Sequence, residues 1–324
     1  MHGWIVLDKP LGLGSTQSVS AVKRALRVGG YAKVKVGHGG TLDPLATGLL
    51  PIALGEATKL AGRMLDASKV YDFTVQFGAQ TDTLDLEGAM IATSEVRPTL
   101  AEVEAVLPRF TGPIEQVPPA YSALKVDGER AYDLARAGQE VVLATRAVTV
   151  FDLKPLPFRG GVGVGAVLPH TSKSVSPDTL HPNPAPEGEG LSEITLTAHV
   201  SKGTYIRSLA RDIALALGTV GHVTMLRRTR AGPFDLSQAI SLDLLDEAAK
   251  SAKLEALLCP IEAGLDGIPA LPLTPEQAAA LRQGRVLAGV AASDGLHFAK
   301  LGDTPVALVE IVAGLVRVER GFNL

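Results

Sequence analysis

The chain has 324 residues, of which 46% are hydrophobic, so one large domain with a smaller second one is expected. It contains no apolar run of about 18 residues, which excludes a transmembrane helix, and Trp4–Leu7 meets charged residues too soon for a signal peptide to be expected. Cys259 is the only cysteine, so an internal disulfide and a thiolate metal cluster are excluded. These features predict a protein of the reducing cytoplasm.

The net charge of −3 does not by itself favour a nucleic-acid binder, but the charges are unevenly distributed. Residues 1–70 contain nine lysines and arginines against four acidic residues, and residues 200–232 contain six against one. Each segment therefore carries +5, which leaves −13 for the remainder because the total is −3. Two such segments could fold into one positive cleft for a polyphosphate ligand, or they could be ordinary solvated surface.

The first predicted elements are strands and a helix. Residues 4–7 form an apolar run that ends at a charged, proline-containing turn, as a short buried strand does. Ser15 or Thr16 is expected to cap a helix that ends at a pair of glycines. Its apolar face is formed by Val19, Val22 and Leu26. Residues 71–77 alternate between apolar and polar side chains, which predicts a half-buried strand.

The middle of the chain mixes helices and strands without a regular alternation. Thr99 and Glu102 form a capping box before an apolar helical pattern, and residues 194–200 alternate as a strand. After Gly203 the apolar period changes to that of a helix, which Gly218 ends. Because no βαβ repeat is present, the predicted fold class is α+β.

Two stretches rich in glycine or proline interrupt this pattern. Residues 159–192 contain six glycines and five prolines with little periodicity, which predicts a flexible surface insertion. Residues 264–272 are expected to be a linker, followed by a capped helix at Thr274 and β-like stretches over 305–312 and 314–320. The predicted domains are therefore residues 1–265 and a small β-rich unit over 268–324.

The densest chemical signal is residues 37–48, which we call the glycine-rich segment; it reads Gly-His-Gly-Gly-Thr-Leu-Asp-Pro-Leu-Ala-Thr-Gly. Its glycines allow close approach of the backbone to a ligand, and Asp43-Pro44 sets a turn that presents a carboxylate. Taken alone, such an Asp-Pro pair is more often a structural turn. A phosphate-binding loop is not supported, because no Gly-Lys-Ser/Thr follows and no dinucleotide fingerprint is present.

The glycine-rich segment as a whole resembles the signature loop of TruB-type pseudouridine synthases, and the flanking motifs resemble that family in the same order. The resemblance covers about residues 3–232. Matching stretches are Asp8-Lys9-Pro10, Gly55–Lys59, Lys69-Val70-Tyr71, Thr81–Gly88, Pro118–Lys125, Lys202–Arg207 and Leu226-Arg227-Arg228. Two departures concern local geometry alone: the 159–192 insertion is long for the family, and the turn at Leu11–Gly14 is one residue longer.

The resemblance implies the pseudouridine synthase fold, with a mixed, largely antiparallel sheet flanked by helices and a C-terminal RNA-binding module of the PUA type. It implies isomerisation of the T-loop uridine of tRNA without a cofactor. Asp43 would be the catalytic carboxylate, Arg207 the guanidinium that keeps it ionised, and Tyr71 the aromatic that stacks on the flipped uracil. From alternation alone, Tyr71 is an ordinary core residue.

The resemblance and the charge pattern also predict residues that contact the substrate. Those that line the pocket or rearrange the flipped nucleotide would be His38, Gly39, Thr41, Tyr205 and Leu226. Those that contact phosphates would be Lys33, Lys35, Arg227, Arg228 and Arg230. The expected partner is the T-arm stem-loop of tRNA, bound by a monomer without an accessory protein or a membrane.

Other interpretations remain open or fail on the residues. An RNA-guided relative that works inside a ribonucleoprotein is disfavoured by residues 122–145, which resemble the substrate-clamping loop of stand-alone enzymes. A non-enzymatic tRNA chaperone is disfavoured because all three predicted catalytic side chains are present. Asp82, Asp85 and Glu87 fit neither a calcium loop nor an assignable glycosidase pair, so a structural loop is predicted. No two of the seven histidines have metal-ligand spacing, so no metal site is expected.

Overall fold

The computed structural model describes residues 1–122, 124–126, 128–139, 141, 143–156, 190–265 and 267–324. The insertion predicted over residues 159–192 lies outside the described residues, apart from residues 190–192. None of the helices formed by described residues is long and apolar enough to cross a membrane.

The described residues form α-helices, short 3-10 helices and strands. The α-helices are α1 (Ser15–Val28), α2 (Ala61–Asp66), α3 (Leu100–Val106), α4 (Ala131–Arg136), α5 (Ile206–Ala216), α6 (Leu242–Lys250) and α7 (Pro275–Arg282). The 3-10 helices are Gly55–Leu60, Leu107–Phe110, Leu236–Gln238, Leu254–Leu257 and Ile261–Gly264. The strands are β1 (Gly3–Lys9), β2 (Val36–His38), β3 (Ala46–Leu54), β4 (Lys69–Phe77), β5 (Ala79–Thr81), β6 (Met90–Thr93), β7 (Gly112–Gln116), β8 (Lys125–Val126), β9 (Glu129–Arg130), β10 (Arg146–Pro155), β11 (Glu193–Val200), β12 (Gly221–Ala231), β13 (Phe234–Asp235), β14 (Ala270–Pro272), β15 (Leu287–Ala288), β16 (Gly295–Leu301), β17 (Thr304–Val312) and β18 (Leu315–Gly321).

The chain divides into two compact units, and both β4 and β12 contribute residues to each of them. The first unit comprises residues 1–71 and 226–324, and the second comprises residues 72–225. Helices and strands are mixed, with antiparallel pairing predominant and parallel pairing of β3 with β12 and of β14 with β16. The predicted α+β class is therefore confirmed.

In the first unit, β3 pairs antiparallel with β1 and parallel with β12, while β2 also pairs with β3. Because side chains alternate across a strand, the unbroken apolar run of β1 supplies two buried faces. Ile5 and Leu7 join a core that α1 and α6 also line, whereas Trp4 and Val6 join a second core. The short apolar strand predicted over residues 4–7 is confirmed and is extended at both ends.

Helix α1 follows the predicted pattern closely. Its Val19, Val22 and Leu26 are buried, and the chain leaves the helix at Gly29. The predicted cap was displaced by one residue, since Gly14 is the capping position and Ser15 is already helical. Gln17 makes the capping contact by accepting from the Gly14 amide at 2.7 Å.

In the second unit, β10 pairs antiparallel with β7 on one side and with β11 on the other. The predicted alternation of β11 is confirmed, because its buried residues are Ile194, Leu196, Ala198 and Val200. Helix α5 buries Ile206, Leu209 and Ile213 as predicted, and the Thr99–Glu102 capping box of α3 is present. These elements place Arg207 in the first turn of α5.

The tail from residue 270 forms a five-stranded sheet in the order β14–β16–β17–β18–β15, with α7 beginning at Pro275 as predicted. It does not have a wholly separate core, because Phe298, Leu308 and Phe322 belong to the same buried cluster as Trp4. The tail is accordingly part of the first unit, and the domain boundary predicted between residues 265 and 268 stays a prediction.

Candidate active site

The glycine-rich segment lies in the first unit and connects β2 to β3. These two strands pair antiparallel, so the chain turns back on itself over residues 39–45. The Gly39 amide donates to the carbonyl of Pro51 at 2.8 Å, and the Ala46 amide donates to the carbonyl of Asp43 at 3.0 Å. The turn predicted at Asp43 is present, and it leaves this residue half-buried.

Two glycines of the segment are required by contacts within the protein. A Cβ at Gly39 would lie 2.6 Å from Cβ of Met64, so the close approach that Gly39 permits is to α2. Gly48 has φ of +96°, and a Cβ there would lie 2.3 Å from the carbonyl oxygen of Arg228. Gly48 therefore allows β3 and β12 to pair side by side. The substrate contact predicted for Gly39 stays a prediction.

The buried ammonium of Lys9 supports the turn at Pro44, immediately after Asp43. Its Nζ donates to the carbonyls of Leu13 at 2.6 Å, Pro10 at 3.0 Å and Pro44 at 3.3 Å. Burial lowers the pKa of Lys9 to about 8; the charge of Asp43 opposes this shift and that of Arg228 adds to it. At neutral pH Lys9 is therefore a cation close to Asp43, and it ties residue 44 to the end of β1.

His38 and Thr41 precede Asp43 in the same segment. The Nδ1 atom of His38 accepts from the Gly40 amide at 3.3 Å, which leaves Nε2 to carry the proton of the neutral ring. Burial, and then the charge of Arg228, lower the pKa of His38, so the imidazole is neutral at pH 7. Thr41 is exposed. The contacts with the flipped nucleotide that were predicted for His38 and Thr41 stay predictions. His38 would contribute a neutral N–H donor and Thr41 an exposed hydroxyl.

Tyr71 and Leu226 both lie at the edge of the core that α1 and α6 line. Each is half-buried and packs against this cluster. Tyr71 thus shows the core packing that its strand pattern predicted while keeping part of its surface exposed. Nearby, the Thr229 hydroxyl of β12 donates to the carbonyl of Val70 at 3.4 Å. The roles in the substrate pocket predicted for Tyr71 and Leu226 stay predictions.

In the second unit, Arg207 is buried and forms an ion pair that the sequence did not predict. Its Nη1 donates to Oδ2 of Asp85 at 3.0 Å and to the carbonyl of Thr83 at 2.9 Å. Its Nη2 donates to the carbonyl of Tyr121 at 3.1 Å. These bonds set the direction of the guanidinium. Its predicted pairing with Asp43, which lies in the first unit, stays a prediction.

Asp85 is itself held in place on its other oxygen. Oδ1 accepts from the Thr83 hydroxyl at 2.5 Å and from the Glu87 amide at 3.0 Å. The structural loop predicted for this acidic stretch is present, but Asp85 also neutralises Arg207. No local sequence pattern indicates this pair, since the two residues are 122 positions apart.

Tyr205 precedes α5 and is anchored through its backbone. Its amide donates to Oε1 of Gln116 at 3.1 Å, and its carbonyl accepts from Nε2 of Gln116 at 3.4 Å. The residue is half-buried. The side-chain amide of Gln116, in β7, thereby fixes the backbone position from which the ring of Tyr205 extends. The predicted place of Tyr205 in the pocket stays a prediction.

The five basic residues predicted to contact phosphates differ in exposure, and Arg228 is described separately below. Lys33 and Lys35, between α1 and β2, are exposed, as is Arg230 on β12. Arg227 is half-buried and pairs with Asp8 through two hydrogen bonds of 3.0 and 2.9 Å. Lys33, Lys35 and Arg230 remain candidates for phosphate contacts. Arg227 would have to break its hydrogen bonds with Asp8 before it could contact a phosphate.

Arg228 does not fit the predicted phosphate contact. Only 1% of its surface is exposed, and its guanidinium donates to carbonyl oxygens of Leu49, Thr41 and Gly40. The arginine run of β12 looks uniformly basic in the sequence. In a strand, however, adjacent side chains point to opposite faces, so Arg228 enters the protein while Arg227 does not.

Part of the predicted meeting of the two basic segments is present in the first unit. Strand β12 pairs in parallel with β3, with Leu226 opposite Ala46 and Arg228 opposite Gly48. The remaining residues of the 200–232 segment belong to the second unit, and the single cleft predicted for both segments stays a prediction. Among the described residues, no group of three or more His, Cys, Asp or Glu side chains could hold a metal ion.

Comparison with known proteins identifies the family. Residues 23–168 match the description "TruB family pseudouridylate synthase (N terminal domain)", and residues 207–266 match "tRNA pseudouridylate synthase B C-terminal domain". The protein named tRNA pseudouridine synthase B of Novosphingobium aromaticivorans is 62% identical, over 100% of this chain and 98% of that protein. The protein of the same name from Zymomonas mobilis is 53% identical, over 100% and 96%.

Solved structures show the same fold. A chain from a crystal structure of a Cbf5-Nop10-Gar1 complex superposes with a TM-score of 0.68 at 26% identity, covering 99% of this chain and 85% of that one. A chain from an H/ACA RNP bound to a substrate RNA containing 2′-deoxyuridine gives a TM-score of 0.67 at 24% identity, with the same coverage. The predicted pseudouridine synthase fold, with a strand-rich C-terminal region of the PUA type, is confirmed.

The fold and these matches define an isomerase that converts uridine to pseudouridine in tRNA. The chain belongs to the TruB family of pseudouridine synthases, as its motifs predicted.

Proposed function

We propose that the enzyme modifies the uridine of the tRNA T-loop and that Asp43 is its catalytic carboxylate. The observation that carries this proposal is the construction around Asp43. The residue lies on a short turn whose neighbours are held by buried cations, Lys9 at Pro44 and Arg228 at Gly40 and Thr41. A carboxylate that is half-buried on a firmly held turn is suited to a reacting atom that must be reached in one geometry.

The reaction is a rearrangement within one nucleotide. The bond between N1 of uracil and C1′ of ribose breaks, the base turns, a bond forms between C5 and C1′, and the proton lost from C5 is balanced by a proton gained at N1. No atom and no electron is gained or lost, so the chemistry needs a carboxylate and a proton acceptor. Asp43 can attack C1′ or remove a proton from C2′, and both paths use its ionised form. The family's pairing of Asp43 with Arg207 would favour that form.

Tyr71 is proposed to receive the flipped uracil. A base in a folded RNA loop must leave its stack before a protein side chain can reach its ribose, at a cost of a few kcal/mol. An aromatic ring that replaces the lost stacking recovers about 1–3 kcal/mol. Tyr71 is suited to this because it packs against the core while staying partly exposed. Its hydroxyl can assist removal of the C5 proton.

The enzyme is proposed to act on tRNA as a monomer, without a guide RNA or an accessory protein. The solved structures come from a Cbf5-Nop10-Gar1 complex and an H/ACA RNP. The relatives that match over 96–98% of their length are named tRNA pseudouridine synthase B. The hypothesis of a stand-alone enzyme is therefore better supported than that of an RNA-guided enzyme in a ribonucleoprotein. Its placement in the cytoplasm stays a prediction from the sequence.

Incubation of the purified chain with an unmodified T-arm transcript tests this proposal directly. Pseudouridine is mapped by mass spectrometry or chemical probing, and it should appear at a single T-loop uridine. A transcript with cytidine at that position is the matched control and should remain unmodified. Modification of a uridine elsewhere, or a requirement for a second macromolecule, would contradict the proposed specificity or the stand-alone activity respectively.

Tyr71→Phe should lower turnover while leaving T-arm RNA binding within about twofold of the original. The substitution keeps the stacking ring and removes the hydroxyl, so the predicted loss falls on the chemical step. Single-turnover rates at saturating RNA and filter-binding affinities separate the two effects. An unchanged rate constant would show that the Tyr71 hydroxyl takes no part in the chemical step.

RNA binding should depend steeply on salt, and the exposed basic residues should account for part of that dependence. Each phosphate contact contributes roughly 0.7–0.9 to the slope of log affinity against log salt concentration. Replacing Lys33, Lys35 and Arg230 together with alanine should weaken binding and flatten the slope. Replacing the exposed Lys250 and Lys253, outside both basic segments, is the control. Equal effects of the two sets would show that the charge pattern is incidental.

A further inference from the structure

The backbone that leads into Asp43 is bonded to side chains from two distant parts of the first unit. The hydroxyl of Ser15 donates to the carbonyl of Leu42 at 3.0 Å and accepts from the amide of Leu42 at 2.8 Å. The guanidinium of Arg228 donates to the carbonyls of Gly40 at 3.2 Å and Thr41 at 3.3 Å. Three successive residues before Asp43 are therefore held by side chains.

Both supporting side chains are buried, which makes these bonds costly to break. Ser15 is 5% exposed and Arg228 is 1% exposed. A buried donor that loses its partner keeps its desolvation penalty, so the segment has little freedom to move away from either residue. The side chain of Leu42, 4% exposed, adds an apolar anchor in the core beside α1.

The hydroxyl of Ser15 is not needed to begin α1. Gly14 occupies the capping position, and Gln17 supplies the side chain that accepts from the Gly14 amide. Ser15 is the first residue inside the helix, and both described bonds of its hydroxyl go to Leu42. The helix thus begins without this hydroxyl, which joins α1 to the residue next to Asp43.

Arg228 is likewise suited to holding a backbone. Its third bond, from Nε to the carbonyl of Leu49 at 2.7 Å, ties the guanidinium to β3 beyond the turn. A planar guanidinium can donate in several fixed directions at once, which a lysine ammonium cannot reproduce. Arg228 therefore bonds both ends of the stretch from Gly40 to Leu49.

We propose that Ser15 and Arg228 are positioning residues for the reaction, which hold the backbone from Gly40 to Leu42 so that Asp43 meets the ribose in one orientation. They act through Asp43 and do not touch the RNA. This inference rests on the proposed catalytic role of Asp43. Because a displacement of about 1 Å at a reacting group can cost about a hundredfold in rate, loss of either support should affect chemistry more than binding.

Ser15→Ala is the principal test, with Ser20→Ala as its matched control on the same helix. Ser20 is exposed, and the one bond of its hydroxyl to a described residue goes to the preceding turn of α1, at the carbonyl of Thr16. Ser15→Ala should lower the single-turnover rate at saturating T-arm RNA at least about tenfold while the Kd stays within about twofold. Hydrogen exchange should quicken over residues 40–43 and stay unchanged along α1. Ser20→Ala should match the original protein in all three measurements.

Arg228→Lys, with the exposed Arg24→Lys as its control, tests the second support. The lysine keeps the charge but has a single nitrogen, whereas Arg228 bonds Leu49, Thr41 and Gly40 through three separate nitrogens. We therefore expect the same separation of rate from Kd. If Arg228→Lys does not fold, Ser15→Ala still decides the question. An unchanged rate in Ser15→Ala, or a fall in rate matched by an equal loss of RNA affinity, would overturn the proposal.

The two proposals can fail separately. If the original protein does not modify T-arm RNA, the proposed specificity fails. The exchange comparison between Ser15→Ala and Ser20→Ala still shows whether Ser15 holds the segment. Unchanged exchange over residues 40–43 in Ser15→Ala would overturn the inference even in a fully active enzyme.

Discussion

Asp43→Asn should abolish isomerisation while the fold and the affinity for T-arm RNA are retained. The amide has nearly the volume of the carboxylate, so the turn and its supports can persist, but it can neither attack C1′ nor remove a proton from C2′. We expect the single-turnover rate to fall at least about a thousandfold, which corresponds to about 4 kcal/mol of activation free energy. Pseudouridine yield over long incubations provides the measurement.

Asp246→Asn is the matched control for this substitution. Asp246 lies on α6 in the same unit, with a side chain that is 45% exposed and a long contact of 4.0 Å to Arg24. It should leave turnover, RNA affinity and the thermal midpoint unchanged. Turnover of Asp43→Asn within about tenfold of the original, a difference of only about 1.4 kcal/mol, would show that Asp43 is not the catalyst.

Asp85→Asn should destabilise the protein and lower turnover, because it removes the negative charge that the buried guanidinium of Arg207 contacts at 3.0 Å. Removing one member of a buried ion pair typically costs about 3–5 kcal/mol of unfolding free energy. The asparagine keeps the shape of the loop and can still accept from Thr83 and Glu87, so the effect reports the lost charge. Denaturant unfolding and single-turnover rates, both measured well below the thermal midpoint, give the two quantities.

An exposed ion pair in the same unit offers the comparison. Asp152 and Lys154 on β10 are 2.6 Å apart, but their side chains are 50% and 61% exposed. Such pairs contribute about 0–1 kcal/mol, so Asp152→Asn should have little effect on stability or turnover. A double-mutant cycle between Asp85 and Arg207 should give a favourable interaction free energy between the two side chains, because their charges are opposite. Equal stability losses in Asp85→Asn and Asp152→Asn would contradict the importance assigned to the buried pair.

The family, the α+β class and most of the helices and strands could be predicted from the sequence. Apolar periodicity predicts β1, the buried face of α1 and the alternation of β11, because these patterns follow from the geometry of single helices and strands. Capping boxes at Thr99 and Thr274 are equally local. The glycine-rich segment marks Asp43 because its flanking motifs occur in a fixed order along the chain.

The tertiary structure alone decided which charges are solvated and what they bind. Arg227, Arg228 and Arg230 are equivalent in the sequence, yet one pairs with Asp8, one is buried on carbonyls and one is exposed. The same holds for Asp85, whose partner is far away along the chain. A count of charged residues does not show which of them are solvated. The free-energy cost of burying an ion depends on its partners, and only the folded backbone brings those partners within hydrogen-bonding distance.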